Sequence, residues 1–104
     1  MVETQSIREV FGAAADRIAV SSTKALHGHL LGASGAVEFI AALMALRTGT
    51  LPPTCHLSQP DPQCDLDFVP NEARRGIALQ AVMSNSFAFG GTNAVLIARR
   101  ASDR

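Results

Sequence analysis

One segment, from residue 33 to about residue 47, constrains the fold of this chain more than any other part of the sequence. Its side chains are small or apolar on nearly every side of a helical projection, which is typical of a helix buried all round and not of a surface helix. Thr48-Gly49 ends the pattern, and Pro52-Pro53 prevents the helix from continuing. A helix of this kind needs neighbouring elements on all of its faces.

The other predicted elements are too few to cover that helix. A short amphipathic helix is expected before Gly12, because apolar residues recur there at intervals of three and four. Strands are expected at residues 18–22, 66–69, 79–84 and 94–98, the last two as a hairpin whose second strand is apolar enough to be buried on both faces. Elements this few cannot cover one another on all sides. We therefore predict an α/β chain, with a buried helix on a mixed sheet that ends in a β-hairpin, forming one partial domain over residues 1–104.

The composition argues against nucleic acid and membrane partners. Nine Lys and Arg residues cancel nine Asp and Glu residues, so no net charge attracts nucleic acid or an anionic membrane. The longest apolar stretch, residues 36–46, is interrupted by Glu38 and falls far short of a membrane span. Two cysteines without a secretory leader do not indicate a disulfide framework. We expect the chain in the reducing cytoplasm.

The histidines and cysteines could in principle bind zinc, since His27 and His29 stand two residues apart and His56 and Cys64 follow. The spacing lacks the paired short loops of a zinc site, so the sequence predicts no metal. Cys55 and Cys64 lie in a proline-rich connection, without the basic surroundings that activate a thiol. We interpret both as structural thiols.

Glu38 is the only charged residue in the apolar stretch 36–46. Burying a carboxylate without a partner is costly, so Glu38 must reach solvent, be protonated or pair with a cation. Lys24 lies just before the helix, at a turn from which it could fold back onto the first helical turns. The residues alone leave open whether Glu38 marks a narrow solvent-facing stripe or forms an ion pair with Lys24.

Gly90 and Gly91 lie between the two predicted hairpin strands. Two successive glycines let backbone N–H groups approach a ligand closely, as in many oxyanion holes. Glycine pairs are also common in plain hairpin turns, and turn chemistry alone favours that interpretation.

Three motifs together resemble the β-ketoacyl-acyl-carrier-protein synthases. The sequences S-T-K, G-H-L-L-G-A and G-A-V-E at residues 22–24, 28–33 and 35–38 are similar to the family's lysine and second-histidine segment. Residues 52–71 resemble the following loop, and S-N-S-F-A-F-G-G-T-N at residues 84–93 resembles the C-terminal gate and hairpin. The resemblance covers nearly all of residues 18–100, in order.

The resemblance implies the C-terminal portion of a thiolase-like layered fold and a condensing enzyme of the KAS I/II type. Such enzymes catalyse the decarboxylative Claisen condensation of malonyl-acyl-carrier protein with an acyl thioester, in fatty-acid or polyketide-type biosynthesis. The implied partner is an acyl carrier protein with phosphopantetheine-linked malonyl and acyl groups. The family forms dimers, so a homodimer is expected, and no cofactor is implied.

The resemblance also implies roles for individual residues. His29 matches the second catalytic histidine, which donates a hydrogen bond to the malonyl thioester oxygen. Lys24 and Glu38 match the active-site lysine and its partner. The gate and oxyanion hole are matched by Phe89, supported by Phe87, with Gly90 and Gly91.

The family's nucleophilic cysteine and first histidine have no counterpart in this sequence, and we expect them to precede Met1. The chain is therefore expected to be inactive alone and to need the N-terminal half of the synthase. The alternative is a non-catalytic synthase-like subunit that docks on a complete condensing enzyme. His27 departs from many relatives, and the resemblance implies no role for it.

Overall fold

The computed structural model describes residues 1–102, which form three α-helices, a two-stranded sheet and three short 3-10 turns. A long connection, residues 49–80, joins α3 to β1. The helices are α1 (Val2–Phe11), α2 (Lys24–His27) and α3 (Ser34–Thr48), and the strands are β1 (Ala81–Phe87) and β2 (Asn93–Arg99). The 3-10 turns are Gly12–Arg17, Leu31–Ala33 and Phe89–Gly91.

Both predicted helices are present. α1 buries Thr4 and Ile7 on one face and ends at Gly12, whose φ of 55° terminates the helix. α3 lies within a residue of the predicted bounds and ends at Gly49, which adopts the left-handed conformation (φ 70°, ψ 21°). The Gly49 N–H donates to the carbonyl oxygen of Ala45 at 2.8 Å, which completes a glycine-terminated helix end.

α3 is less buried than the sequence predicts. It packs on the hairpin, mainly on β1, and buries Ala45 and Leu46 near its C-terminal end. On the other side, Ile40 is 59% exposed and Met44 is 49% exposed. Burial all round is therefore not found within the described residues, because the hairpin covers only one side of the helix.

The hairpin is antiparallel, with a register that runs from Ala81 opposite Arg99 to Phe87 opposite Asn93. β1 continues to Phe87, so residues 85–87 lie in the strand and not in the loop. β2 is exposed along almost its whole length, and Ile97 at its centre is 70% exposed. The expected burial of this strand on both faces is not found in the described residues, because α3 packs on the hairpin mainly through β1.

The predicted strands at residues 18–22 and 66–69 are reduced to single bridges. Ala19 forms a parallel bridge with Asp67, and Thr54 forms one with Pro70. The backbone of Val69 has a φ of 47°, which a β-branched residue rarely adopts and which no extended strand can contain. This conformation interrupts strand pairing, so the connection forms isolated β-bridges with the rest of the chain and no continuous strand.

Two arginines hold the long connection in place. Arg8 donates to Asp65 at 2.9 Å, and Arg74 forms a bidentate pair with Asp67 whose Nη2–Oδ1 distance is 2.6 Å. The hydrogen bonds from Arg74 hold the pKa of Asp67 below its ordinary value. A lowered pKa in the folded state means that this carboxylate stabilises the fold above about pH 4, and that the stabilisation is lost as the pH falls through the lowered pKa.

The 3-10 turn and α3 together form a helical window, Leu31–Thr48, that is long and apolar enough to cross a membrane by length and composition. Its mean hydropathy is 1.3, and 17% of it is buried. The apolar stretch 36–46 is too short for a span, but the longer helical window is not, so length alone does not exclude a span. The core helix of a soluble protein meets the same criterion, so this is weak support for a membrane partner. The absence of a membrane partner stays a prediction.

We predict that Gly49 and Gly76 differ in their tolerance of alanine although their φ values, 70° and 71°, are nearly the same. A Cβ at Gly49 would lie 2.7 Å from the carbonyl oxygen of Ile77, whereas a Cβ at Gly76 meets nothing within 4 Å. Gly76→Ala should cost about 1–2 kcal/mol for the left-handed backbone alone, and Gly49→Ala should cost clearly more. Urea unfolding followed by far-UV circular dichroism measures both, and equal losses would contradict the close contact at Gly49.

Candidate functional site

The segment between α2 and α3 brings together the residues that the sequence marks for chemistry. α2 is a single turn that ends at Gly28, whose φ of 79° redirects the chain and whose N–H donates to the carbonyl oxygen of Lys24 at 2.7 Å. Leu31, with a φ of 51°, bends the chain again before α3 begins. These two bends place His29 beside the first turn of α3.

Lys24 and Glu38 form an ion pair in which Nζ donates to Oε1. The Glu38 side chain is 15% exposed and that of Lys24 is 41% exposed. The pair therefore resolves the alternatives that the sequence left open, and Glu38 does not mark a solvent-facing stripe. The cation keeps partial access to solvent, so the pair is half-buried and not fully enclosed.

His29 is held through one ring nitrogen. Its Nδ1 atom lies 2.9 Å from the Ser34 hydroxyl oxygen and 3.1 Å from the backbone nitrogen of Leu31. A backbone N–H can only donate, so Nδ1 is an acceptor and the neutral ring carries its proton on Nε2. Within residues 1–102 no hydrogen-bond partner lies at Nε2. The ring is exposed and presents an N–H donor outward.

His27 has the opposite arrangement. Its Nδ1 lies 2.8 Å from the carbonyl oxygen of Gly28, which can only accept, so Nδ1 carries the proton. Its Nε2 then accepts from the hydroxyl of Thr23, also at 2.8 Å. Both nitrogens of His27 are used within the turn, so of these two neighbours only His29 has a donor available to a ligand.

The predicted gate lies in the turn between β1 and β2. Phe89 is fully exposed, which excludes a core-packing role for it in this chain. Gly90 and Gly91 both have a φ of 78°, a left-handed conformation that side chains other than glycine rarely adopt. The N–H of Ala88 donates to the carbonyl oxygen of Thr92 at 2.9 Å and closes the turn.

Phe87, at the end of β1, lines an apolar cleft of about 290 Å³ between α1 and the hairpin. The cleft is also lined by Ile7, Val10, Phe11 and Met83. Among the described residues, no hydrogen bond or ion pair joins the predicted gate, residues 87–91, to Lys24, His29 or Glu38. The two segments approach each other where α3 meets β1, since a Cβ at Gly35 would lie 3.6 Å from Ser86 Oγ.

Ser34 and Thr23 are the residues of this site that the sequence interpretation missed. Each contributes the hydroxyl that contacts one of the two histidines. Ser34 is buried at the start of an apolar helix, five residues after His29. A single hydroxyl residue at the start of an otherwise apolar helix is the sequence signal that could have identified it. Thr23 gives no comparable signal, because a threonine before a short helix is commonplace.

Cys55 and Cys64 are free thiols, and both are half-buried. Within residues 1–102, no group of three or more His, Cys, Asp or Glu side chains is arranged to hold a metal ion. The zinc interpretation therefore gains no support from the described part of the chain.

The family description "Beta-ketoacyl synthase, C-terminal domain" matches residues 1–58, which is more than half of the chain. The chain is 52% identical over 102 residues to 3-oxoacyl-[acyl-carrier-protein] synthase 2 of Coxiella burnetii, covering 98% of this chain and 24% of that protein. It is also 52% identical over 99 residues to nodulation protein E of Rhizobium leguminosarum bv. trifolii, covering 95% of this chain and 24% of that protein.

Solved structures agree. A type II PKS acyl-carrier protein in complex with its ketosynthase bound to the hexaketide contains a chain similar to this one, with a TM-score of 0.91 and 31% identity over 96% of this chain and 24% of that chain. The ishigamide ketosynthase/chain length factor matches with a TM-score of 0.88 and 38% identity, again over 96% of this chain and 24% of that chain. These neighbours confirm the predicted fold class, a portion of the thiolase-like α/β fold.

The chain spans about a quarter of the length of the curated relatives it matches. Within that quarter, the family match, the identities and the fold agree with the motifs at residues 22–38 and 84–93. The chain belongs to the β-ketoacyl synthase family and corresponds to its C-terminal domain.

Proposed function

We propose that this chain is the C-terminal part of a 3-oxoacyl-[acyl-carrier-protein] synthase, an acyltransferase that condenses malonyl-acyl-carrier protein with an acyl thioester. The observation that carries the proposal is the Nε2–H donor of His29, which has no partner within residues 1–102 and lies in the turn that the Lys24–Glu38 ion pair spans. The partner is an acyl carrier protein, supported by the carrier protein bound to the similar ketosynthase. The synthase acts in the cytoplasm as a homodimer.

His29 acts when negative charge develops on the malonyl thioester. Loss of carbon dioxide breaks the carbon–carbon bond of the malonyl group and leaves its electron pair on the α-carbon, delocalised onto the thioester oxygen. A fixed N–H donor aimed at that oxygen stabilises the charge without moving. The resulting carbanion attacks the acyl thioester carbonyl, forms the new carbon–carbon bond and releases the thiolate that carried the acyl group.

Lys24 and Glu38 supply charge near this reaction. The cation of Lys24 is close to the His29 turn along the chain, and its partial exposure leaves it accessible to a substrate group. Glu38 holds the cation against α3 and compensates its charge. The pair therefore adds a fixed electrostatic element to the site.

The turn at Phe89 is the second part of the proposed site. The exposed ring of Phe89 lies on a backbone that Gly90 makes adaptable, so it can swing between positions. We propose that the backbone N–H of Phe89 serves an oxyanion hole and that its ring controls access to the acyl tunnel. Phe87 supports the ring, and Gly90 and Gly91 allow close approach.

A non-catalytic subunit is the second candidate. The similarity to a ketosynthase/chain length factor favours it, because a subunit of that kind need not carry out the chemistry. The donor geometry of His29 and the intact Lys24–Glu38 pair favour the catalytic role. Activity of a synthase that contains this segment decides between the two.

We predict that the 104-residue chain alone is not acylated. Cys55 and Cys64 are half-buried and lie outside the helices, and no histidine within residues 1–102 forms a hydrogen bond with either thiol. A cysteine nucleophile is activated by a neighbouring base or by a helix N-terminus. Incubation with acyl-loaded carrier protein followed by intact-mass measurement tests this. A stoichiometric acyl adduct on either cysteine would overturn the prediction.

We predict that His29→Ala in a synthase containing this segment lowers the rate of malonyl decarboxylation by on the order of a hundredfold or more, the loss typical of one oxyanion donor. His27→Ala is the matched control and should change the rate little, because both nitrogens of His27 are used inside the turn. Carbon dioxide release measures both variants. Equal losses at the two positions would show that His29 does not have the proposed role.

We predict that Phe89→Ala changes the free energy of unfolding of this chain by about 0.5 kcal/mol or less, because the ring is fully exposed. In the synthase, the same change keeps the backbone N–H and removes the barrier to the acyl tunnel. Decarboxylation should persist while the acyl-length preference changes, as an acyl-length profile would show. An unchanged profile would exclude the gate.

A further inference from the structure

Ser34 is a buried polar side chain that the proposed chemistry does not yet use. It is the first residue of α3 and is 5% exposed, in a helix that is otherwise almost entirely apolar. Its hydroxyl oxygen lies 2.7 Å from the backbone nitrogen of Leu30 and 2.9 Å from Nδ1 of His29. A single buried hydroxyl thus joins the backbone before α3 to the ring of His29.

The direction of these hydrogen bonds follows from what each group can donate. The Leu30 N–H donates to Ser34 Oγ and uses one of the two lone pairs of that oxygen. The Leu31 N–H is directed at Nδ1 of His29, so a proton on Nδ1 would face another N–H. The hydroxyl proton of Ser34 is therefore the one that lies between Oγ and Nδ1.

We propose that Ser34 is a positioning residue that holds His29 in the Nε2–H tautomer and fixes the orientation of its ring. Its catalytic consequence rests on the proposed function of His29, whereas its effect on the tautomer does not. An alanine at position 34 would leave Leu31 as the sole donor to Nδ1 and would remove the side-chain acceptor of the Leu30 N–H.

Ser34 also links His29 to the ion pair. Ser34 and Glu38 are four residues apart on α3 and therefore lie on the same face of the helix, one turn from each other. Ser34 holds His29, and Glu38 holds Lys24. One rigid helical turn thus sets the spacing between the N–H donor and the cation.

The test is long-range proton–nitrogen NMR of the 104-residue chain, which contains only three histidines. In the wild-type chain we expect His29 as the Nε2–H tautomer and His27 as the Nδ1–H tautomer. Ser34→Ala should move the tautomer ratio of His29 about fivefold toward Nδ1–H, the change that corresponds to losing one ordinary hydrogen bond. The ratio of His27 should not change.

Two further variants make the result specific. Thr23→Val removes the hydroxyl that faces His27, so it should move the His27 ratio and leave that of His29 alone. Ser34→Thr keeps a hydroxyl and should retain the wild-type ratio at His29. An unchanged His29 ratio in Ser34→Ala, or equal changes at both histidines, would overturn the proposal.

The activity of a synthase containing this segment separates this proposal from the proposed function. Ser34→Ala should lower kcat for decarboxylation with little change in KM, and by less than His29→Ala does. If Ser34→Ala shifts the tautomer ratio but His29→Ala keeps full activity, the proposed function is wrong and the positioning role stands. If the tautomer ratio does not move, the positioning role is wrong whatever the activity.

Discussion

The ion pair between Lys24 and Glu38 is the interaction on which the candidate site depends. It joins α2 to α3 across a turn that bends twice, at Gly28 and at Leu31. The Glu38 carboxylate is mostly shielded from solvent, and a shielded charge without a partner is strongly unfavourable. The pair therefore restricts where α2 can lie, and the position of the His29 turn follows from that restriction.

In the turn between α2 and α3, two histidines separated by one glycine have different chemistry because their hydrogen-bond partners differ. His27 faces a carbonyl oxygen and a hydroxyl and is used on both nitrogens. His29 faces a hydroxyl and a backbone N–H through the same nitrogen, which leaves Nε2 as a donor without a partner among residues 1–102. The local backbone, and not the residue type, thus decides which histidine can bind a ligand.

The described chain leaves apolar side chains exposed on both α3 and β2. α3 exposes Ile40, Leu43 and Met44, and β2 exposes Val95, Leu96 and Ile97. Exposed apolar patches of this kind mark surfaces that contact a partner, a membrane or a ligand. Within the described residues the hairpin covers only one side of α3, and it stays a prediction that residues 1–104 form a partial domain.

The sequence by itself determined α1, the bounds of α3 and the pairing of the hairpin, because periodicity and chain-breaking residues act over a few positions. Its motifs also indicated the family correctly. Only the tertiary structure decided that Glu38 pairs with Lys24, that the faces of α3 and β2 remain exposed, and that Ser34 holds His29. These features depend on which distant groups meet, and that is determined by the path of the whole chain. Residues 66–69 show the same limit, since a positive φ at Val69 reduces a strand-like segment to single bridges.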